Sequence, residues 1–167
     1  RSLDSCTKLQ LPRTSPYSMN TKSIFILLSL VFSLDLLGAS KFAIPANDDG
    51  LPGEGPIRRY QWFQNLWEKK RTGWAKQVKQ DQGALVFLGD SITQGWGDNF
   101  LGHFKGVKVA NRGISGDTTR GVLIRLKEDV LSLNPKGVVI LIGTNDLEEK
   151  ATPEVIAGNL KLIIAAL

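Results

Sequence analysis

The sequence predicts an α/β fold built on a parallel β-sheet, and three observations predict it. Three continuous apolar runs of strand length occur: Ala84-Leu85-Val86-Phe87-Leu88, Val107-Lys108-Val109-Ala110 and Gly137-Val138-Val139-Ile140-Leu141-Ile142-Gly143. Stretches with helical spacing separate them, and polar loops follow each run. Continuous Val, Ile and Leu runs belong to strands covered on both faces, the pattern of parallel sheets. Ligands of such sheets bind beyond the carboxyl ends of the strands.

At 167 residues and 18.3 kDa, the chain is long enough for one domain with a sizeable core. Its 42% apolar and 22% charged content is that of a globular protein. The net charge is +5. Residues 1–40 carry Arg1, Lys8, Arg13 and Lys22 against Asp4 and Asp35, which leaves 17 basic and 14 acidic residues beyond them. That surplus is too small for a nucleic-acid footprint. A single cysteine, Cys6, excludes an intramolecular disulfide framework and a cysteine zinc site, and a single histidine, His103, excludes a multi-histidine metal site.

Residues 1–18 read as an upstream extension and residues 19–40 as a signal peptide. The only methionine, Met19, opens a short basic stretch with Lys22; an apolar run from Ile24 to Leu37 follows, then the small residues Gly38-Ala39-Ser40. This order is that of a secretory leader. The run is shorter than the roughly 20 residues a bilayer span needs, and it contains Asp35, so no stable membrane anchor is expected. The expected location is secreted or periplasmic. Residues 41–57 are rich in Asn, Asp, Gly and Pro and read as a flexible leader.

Residues 58–167 carry the domain. Arg58 to Gln80 reads as one helix or a pair, with Tyr60, Phe63, Leu66 and Trp67 at helical spacing and Gly73 as a possible break. Aromatics at that spacing belong first to a core and second to a ligand groove. Between the second and third strands, Val122, Leu123, Leu126, Val130 and Leu133 form one helical face over Asp117–Leu133, ending at Asn134-Pro135. Thr152-Pro153-Glu154 starts a last helix, with Thr as cap and Pro at the first helical position. That helix has no stop signal before Leu167, which reads as a chain cut within a helix.

Three loops at the strand ends carry the chemistry: Gly89-Asp90-Ser91-Ile92-Thr93, Asn111-Arg112-Gly113-Ile114-Ser115-Gly116-Asp117, and Gly143-Thr144-Asn145-Asp146. In a parallel sheet these loops converge on one crevice. A serine at a strand-to-helix turn can attack a carbonyl while surrounding donors hold the developing oxyanion. Gly113 permits close backbone approach, and Asn145 offers a side-chain amide.

These three blocks, in this order, resemble the SGNH (GDSL-type) hydrolases. Asn111 to Leu126 is most similar to the branch that contains the platelet-activating-factor acetylhydrolase small subunits. The resemblance covers roughly residues 83–167. It implies the flavodoxin-like three-layer parallel sheet of that family, with the carboxyl-terminal strands and helices missing from this chain. It further implies Ser91 as nucleophile, and an oxyanion hole made of Ser91 N–H, Gly113 N–H and the Asn145 side chain. The family's fourth block, Asp-x-x-His, is absent: no Asp or Glu here has a His three residues later. His103 lies ahead of the second strand, where the chain returns toward the amino-terminal edge of the sheet, and reads as a surface or boundary residue. Asp90 reads as a partner for the turn and helix start, Asp117 as the cap of a helix from Thr118, and Asp146 as a support of the Asn145 loop or a cap.

The expected function is that of a secreted serine esterase acting on acyl, most simply acetyl, esters of a carbohydrate or lysolipid through a Ser91 acyl-enzyme. No cofactor, metal or nucleic-acid partner is expected, and this chain by itself is expected to be inactive. The alternative is a non-catalytic ligand- or carbohydrate-binding protein that keeps the same crevice.

Overall fold

The structure, a computed structural model, describes residues 40–167. The upstream extension and nearly all of the expected signal peptide lie outside the described residues. Helix α1 spans Gln61–Gln77. Strand β1 (Leu85–Gly89) leads into the short helix α2 (Ser91–Gly95), and β2 (Val109–Gly113) leads into α3 (Thr119–Asp129). Strand β3 (Gly137–Leu141) is followed by α4 (Thr144–Glu148) and α5 (Pro153–Ala166). The three strands are parallel in the order β2-β1-β3. This is an α/β fold, and the order is the opening of the flavodoxin-like 2-1-3-4-5 pattern.

Register fixes the site. Gly89 at the end of β1 lies opposite Gly113 on β2 and Leu141 on β3, so all three loops leave the sheet at one level. Val86 and Leu88 of β1 point to one face and join Val122 and Leu126 of α3 and Ile163 of α5 in a buried core. Phe87 points to the opposite face, where its ring packs 4.2 Å from Phe100 and 5.1 Å from Phe104. That face is only partly covered among the described residues. Val139 and Leu141 of β3 remain 44% and 49% exposed, and with Phe87, Trp96, Phe100 and Phe104 they border an apolar cavity of about 210 Å³. The continuous apolar pattern of β3 predicts cover on both faces; among the described residues only one is covered.

Helix α1 is one helix, not two: Gly73 sits on its exposed side, with Phe63, Trp67, Arg71 and Trp74 on the buried face. A glycine there costs helix propensity but breaks no packing. Three buried ion pairs lie around this face: Arg71–Asp129 joins α1 to α3 at 3.0 Å, Arg112–Asp81 joins β2 to the loop after α1 at 2.6 Å, and Arg125–Asp117 joins α3 to the loop before it at 2.8 Å. The Arg112 and Arg125 guanidinium groups also lie over the Trp74 ring, at 5.1 and 5.6 Å. Arginine suits such sites because its planar fork is weakly hydrated and pairs and stacks at once.

Residues 41–57 form neither helix nor strand, in keeping with their Gly and Pro content. They are nonetheless tied to the domain. Arg120 Nη1 donates to Asp48 Oδ2 (2.5 Å) and Gly55 O (2.9 Å), the Thr118 hydroxyl to Pro56 O (2.8 Å), and Asn159 Nδ2 to Glu54 O (2.8 Å).

Candidate active site

Ser91 is the first residue of α2 and is exposed. The helix starts there because Asp90 caps it, its carboxylate accepting the Ile92 N–H at 3.0 Å. Ser91 N–H stands at the first helical position and therefore has no intrahelical acceptor. Asp90 is buried, as a capping role requires, and its carboxylate is spent on the turn. The Ser91 hydroxyl has no hydrogen-bond partner among the described residues.

Gly113 lies directly beneath α2. A Cβ at this position would lie 2.3 Å from Gln94 N, 2.8 Å from Thr93 C and 2.9 Å from Asp90 O, so only glycine lets β2 approach the nucleophile helix. Its N–H, however, donates to Asn111 Oδ1 at 2.8 Å. The Asn111 amide nitrogen donates to Thr93 O (2.7 Å) and Gly97 O (2.9 Å), so this one buried side chain fastens β2 to α2 and to the turn after it. Asn111 was not singled out in the sequence. A buried Asn at a strand end, next to a glycine, was the available signal.

The next glycine offers what Gly113 does not. Ile114–Asp117 is a tight turn closed by Asp117 N–H to Ile114 O (3.0 Å), and Gly116 occupies its third position at φ +88°. That conformation favours glycine. Gly116 is buried as a residue, and its N–H donates to no atom among the described residues. Ser115 N–H donates to Gln94 Oε1 at 2.9 Å, which fixes this turn against α2. The sequence signal was the Ser-Gly-Asp that follows Gly113.

On the third loop, Gly143 at φ +120° turns the chain into α4, and Asn145 is half-buried. One Asn145 amide hydrogen is donated to Asp117 O at 2.8 Å, which leaves the other free to face a ligand. Asp146 is buried and accepts from both Thr119 N–H (2.9 Å) and the Thr119 hydroxyl (2.5 Å). It thereby holds the Asn145 loop to the start of α3. Burial pushes the Asp146 carboxyl up from its ordinary value, against the pull of those Thr119 bonds.

Asp117 does not cap α3. Thr118 does, its hydroxyl accepting the Gly121 N–H at 3.1 Å. The Asp117 carboxylate is drawn inward by Arg125 and also accepts the Thr118 N–H at 3.0 Å. Burial raises its pKa to about 6, with the Arg125 charge opposing.

His103 is exposed and follows the single turn Phe100–Gly102; its ring stands 6.3 Å from Trp96, edge to face. It makes no hydrogen bond to any residue of the three loops. No cluster of metal-ligating side chains occurs among the described residues. Three loops thus bring an exposed serine hydroxyl together with uncommitted donors on Ser91, Gly116 and Asn145.

Comparison with known proteins agrees with this geometry. Residues 87–167 match the GDSL-like lipase/acylhydrolase family, a stretch that contains all three loops. Over that stretch the chain is similar to that family. Platelet-activating factor acetylhydrolase IB subunit alpha2 of Rattus norvegicus is 34% identical over 101 residues, covering 59% of this chain and 43% of the relative. The alpha1 subunit of the same species is 32% identical over 126 residues, covering 67% and 51%. An arylesterase of Vibrio mimicus is 35% identical over 100 residues, covering 53% and 50%. A solved structure from Streptococcus pneumonia, described as a platelet activating factor, superposes with a TM-score of 0.55 at 26% identity, covering 63% of this chain and 50% of that one. This GDSL-like chain spans about half the length of the curated relatives it matches.

Proposed function

We propose that the protein is a secreted ester hydrolase of the GDSL-like family that acts through a Ser91 acyl-enzyme. The observation that carries this reading is the exposed Ser91 hydroxyl at a helix start, with uncommitted donors on Ser91 itself and on the two loops that leave the sheet at the same level. In the reaction, Ser91 Oγ attacks the ester carbonyl and its proton passes to a base. The carbonyl oxygen takes up the negative charge. Ser91 N–H, Gly116 N–H and the free Asn145 amide hydrogen are the donors that meet it, each worth about 10²–10³ in rate when removed. The C–O bond then breaks, the alcohol leaves with the proton, and water releases the acid from the acylated serine. Gly113 supports this arrangement by close packing. Asp90 and Asp146 support it by holding α2 and the Asn145 loop.

The substrate class is an acyl ester, most simply an acetyl ester, of a carbohydrate or lysolipid. The basic, apolar and small-residue order of residues 19–40 supports export. The chain contains one histidine, His103, and nothing in the described fold directs it at Ser91. Serine without a base is a weak nucleophile, so the 167-residue chain is inactive by itself. The test is chemical rescue. Imidazole supplied as an external base accelerates hydrolysis of p-nitrophenyl acetate by this chain above the rate of a Ser91→Ala control. Equal rates in both proteins, with and without imidazole, would overturn the reading.

A further inference from the structure

Two aromatic residues of the α1 entry are not part of the core. Tyr60 and Trp62 are each 52% exposed, and their rings are nearly parallel, 11° apart with centroids at 6.4 Å. Trp62 is braced from behind by the buried Phe63, edge to face at 5.7 Å. Its ring lies against the oxyanion turn: a Cβ on Gly116 would be 2.7 Å from Trp62 Cη2 and 3.2 Å from Arg58 Nη1.

Arg58 is only 7% exposed. Its Nε donates to Glu149 Oε1 at 2.7 Å and its Nη2 to Glu148 Oε2. Nη1, the nitrogen nearest Gly116, has no acceptor among the described residues. The guanidinium is held in place by two carboxylates while Nη1, on the Gly116 side, keeps its donors free for a ligand oxygen.

We propose that Trp62, Tyr60 and Arg58 form the subsite for the alcohol part of the ester, and that this part is a neutral sugar ring. The placement of the acyl group at Ser91 rests on the ester-hydrolase reading above; the binding of the sugar does not. Flat, near-parallel aromatic rings offer a platform for the C–H face of a pyranose. Arg58 Nη1 donates to a ring or hydroxyl oxygen, and the exposed Glu148 carboxylate accepts from a hydroxyl. Charge argues against a phospholipid headgroup. The Arg58 charge is already matched by two carboxylates, and Lys150, exposed on the same turn, brings the group only to neutrality. A phosphate would find no surplus positive charge. A quaternary ammonium is recognised by rings that surround it, whereas these two are stacked in parallel.

The test is binding, read by amide and indole resonances of the full 167-residue chain. An acetylated methyl xylopyranoside and glycerophosphocholine are titrated separately. The sugar ester is expected to shift the Trp62 indole and Gly116 amide signals together and saturably. Trp62→Ala is expected to weaken its binding by roughly two- to twelvefold, the range of one aromatic contact, and Trp62→Phe by less. Glycerophosphocholine is expected to leave both signals unsaturated. Saturation by glycerophosphocholine instead, sugar binding unchanged in Trp62→Ala, or saturation by neither ligand would each overturn the subsite. Sugar binding kept in Ser91→Ala, with no rescued turnover in the parent chain, would refute the esterase reading and leave the subsite standing.

Discussion

Replacing Gly113 by alanine tests whether β2 and the nucleophile helix are packed as closely as the site requires. The new methyl group would lie 2.3 Å from Gln94 N, with Thr93 C and Asp90 O also inside 3 Å. All three are backbone atoms of the Asp90–Gln94 turn, so no side-chain rotation relieves the contact. Ordinary separation requires the helix to move by about 1 Å. Overpacking of this kind costs typically 1–3 kcal/mol, and rigid neighbours place Gly113→Ala at the upper end, about 3 kcal/mol. That corresponds to a fall in Tm of roughly 10 °C for a domain of this size. Gly73→Ala is the matched control. It sits on the exposed side of α1 with nothing within 4 Å of its Cβ, so it should stabilise by about 1 kcal/mol through helix propensity. Urea denaturation of the two variants measures both. A Gly113→Ala protein as stable as the parent would refute the close approach.

Arg125→Met leaves Asp117 buried without its countercharge and should cost about 3–5 kcal/mol near neutrality. Asp117 itself should titrate near pH 6 by carboxyl NMR. Its folded pKa lies above its ordinary value of 3.8, so its contribution to stability is fully present below about 3.8 and is lost as pH rises through about 6. A midpoint below 4 would show that Arg125 outweighs burial. Asp146→Ala unpairs the Thr119 N–H and hydroxyl, and unfolding curves should show a loss of about 1–3 kcal/mol. Strand β3 pairs only with β1 among the described residues, and its exposed Val139 invites edge-to-edge association. Val139→Lys should therefore reduce self-association in sedimentation experiments.

The first and third strands are legible because a continuous apolar run admits few other readings, and each locates a polar loop at its carboxyl end; the weaker run Val107–Ala110 is displaced from β2, which spans Val109–Gly113 and takes in Asn111, Arg112 and Gly113, expected as loop. Ser91, Asn145 and Asp146 followed directly from those positions. What escaped the sequence was set by contacts between distant segments. Asp117 resembled a helix cap until Arg125, eight residues on, drew its carboxylate inward and left the cap to Thr118. Gly113 and Gly116 are equivalent in composition; only the Asn111 side chain, bonded to one amide and not the other, tells them apart. The turn-rich stretch 41–57 carried no mark of its tethers, because their partners Arg120 and Asn159 lie 65 to 105 residues away. Trp62 and Trp67 share one helix, yet one faces Gly116 half-exposed and the other is fully buried.

The central claim is that Ser91 becomes acylated, and mass spectrometry tests it most directly. The 167-residue chain is incubated with p-nitrophenyl acetate and imidazole, quenched in acid and digested. The account predicts a single acetyl group on the peptide that contains Ser91, lost in Ser91→Ala and diminished in Asn145→Ala by loss of an oxyanion donor. Acetylation confined to lysines, or the same serine-peptide adduct in Ser91→Ala, would contradict it.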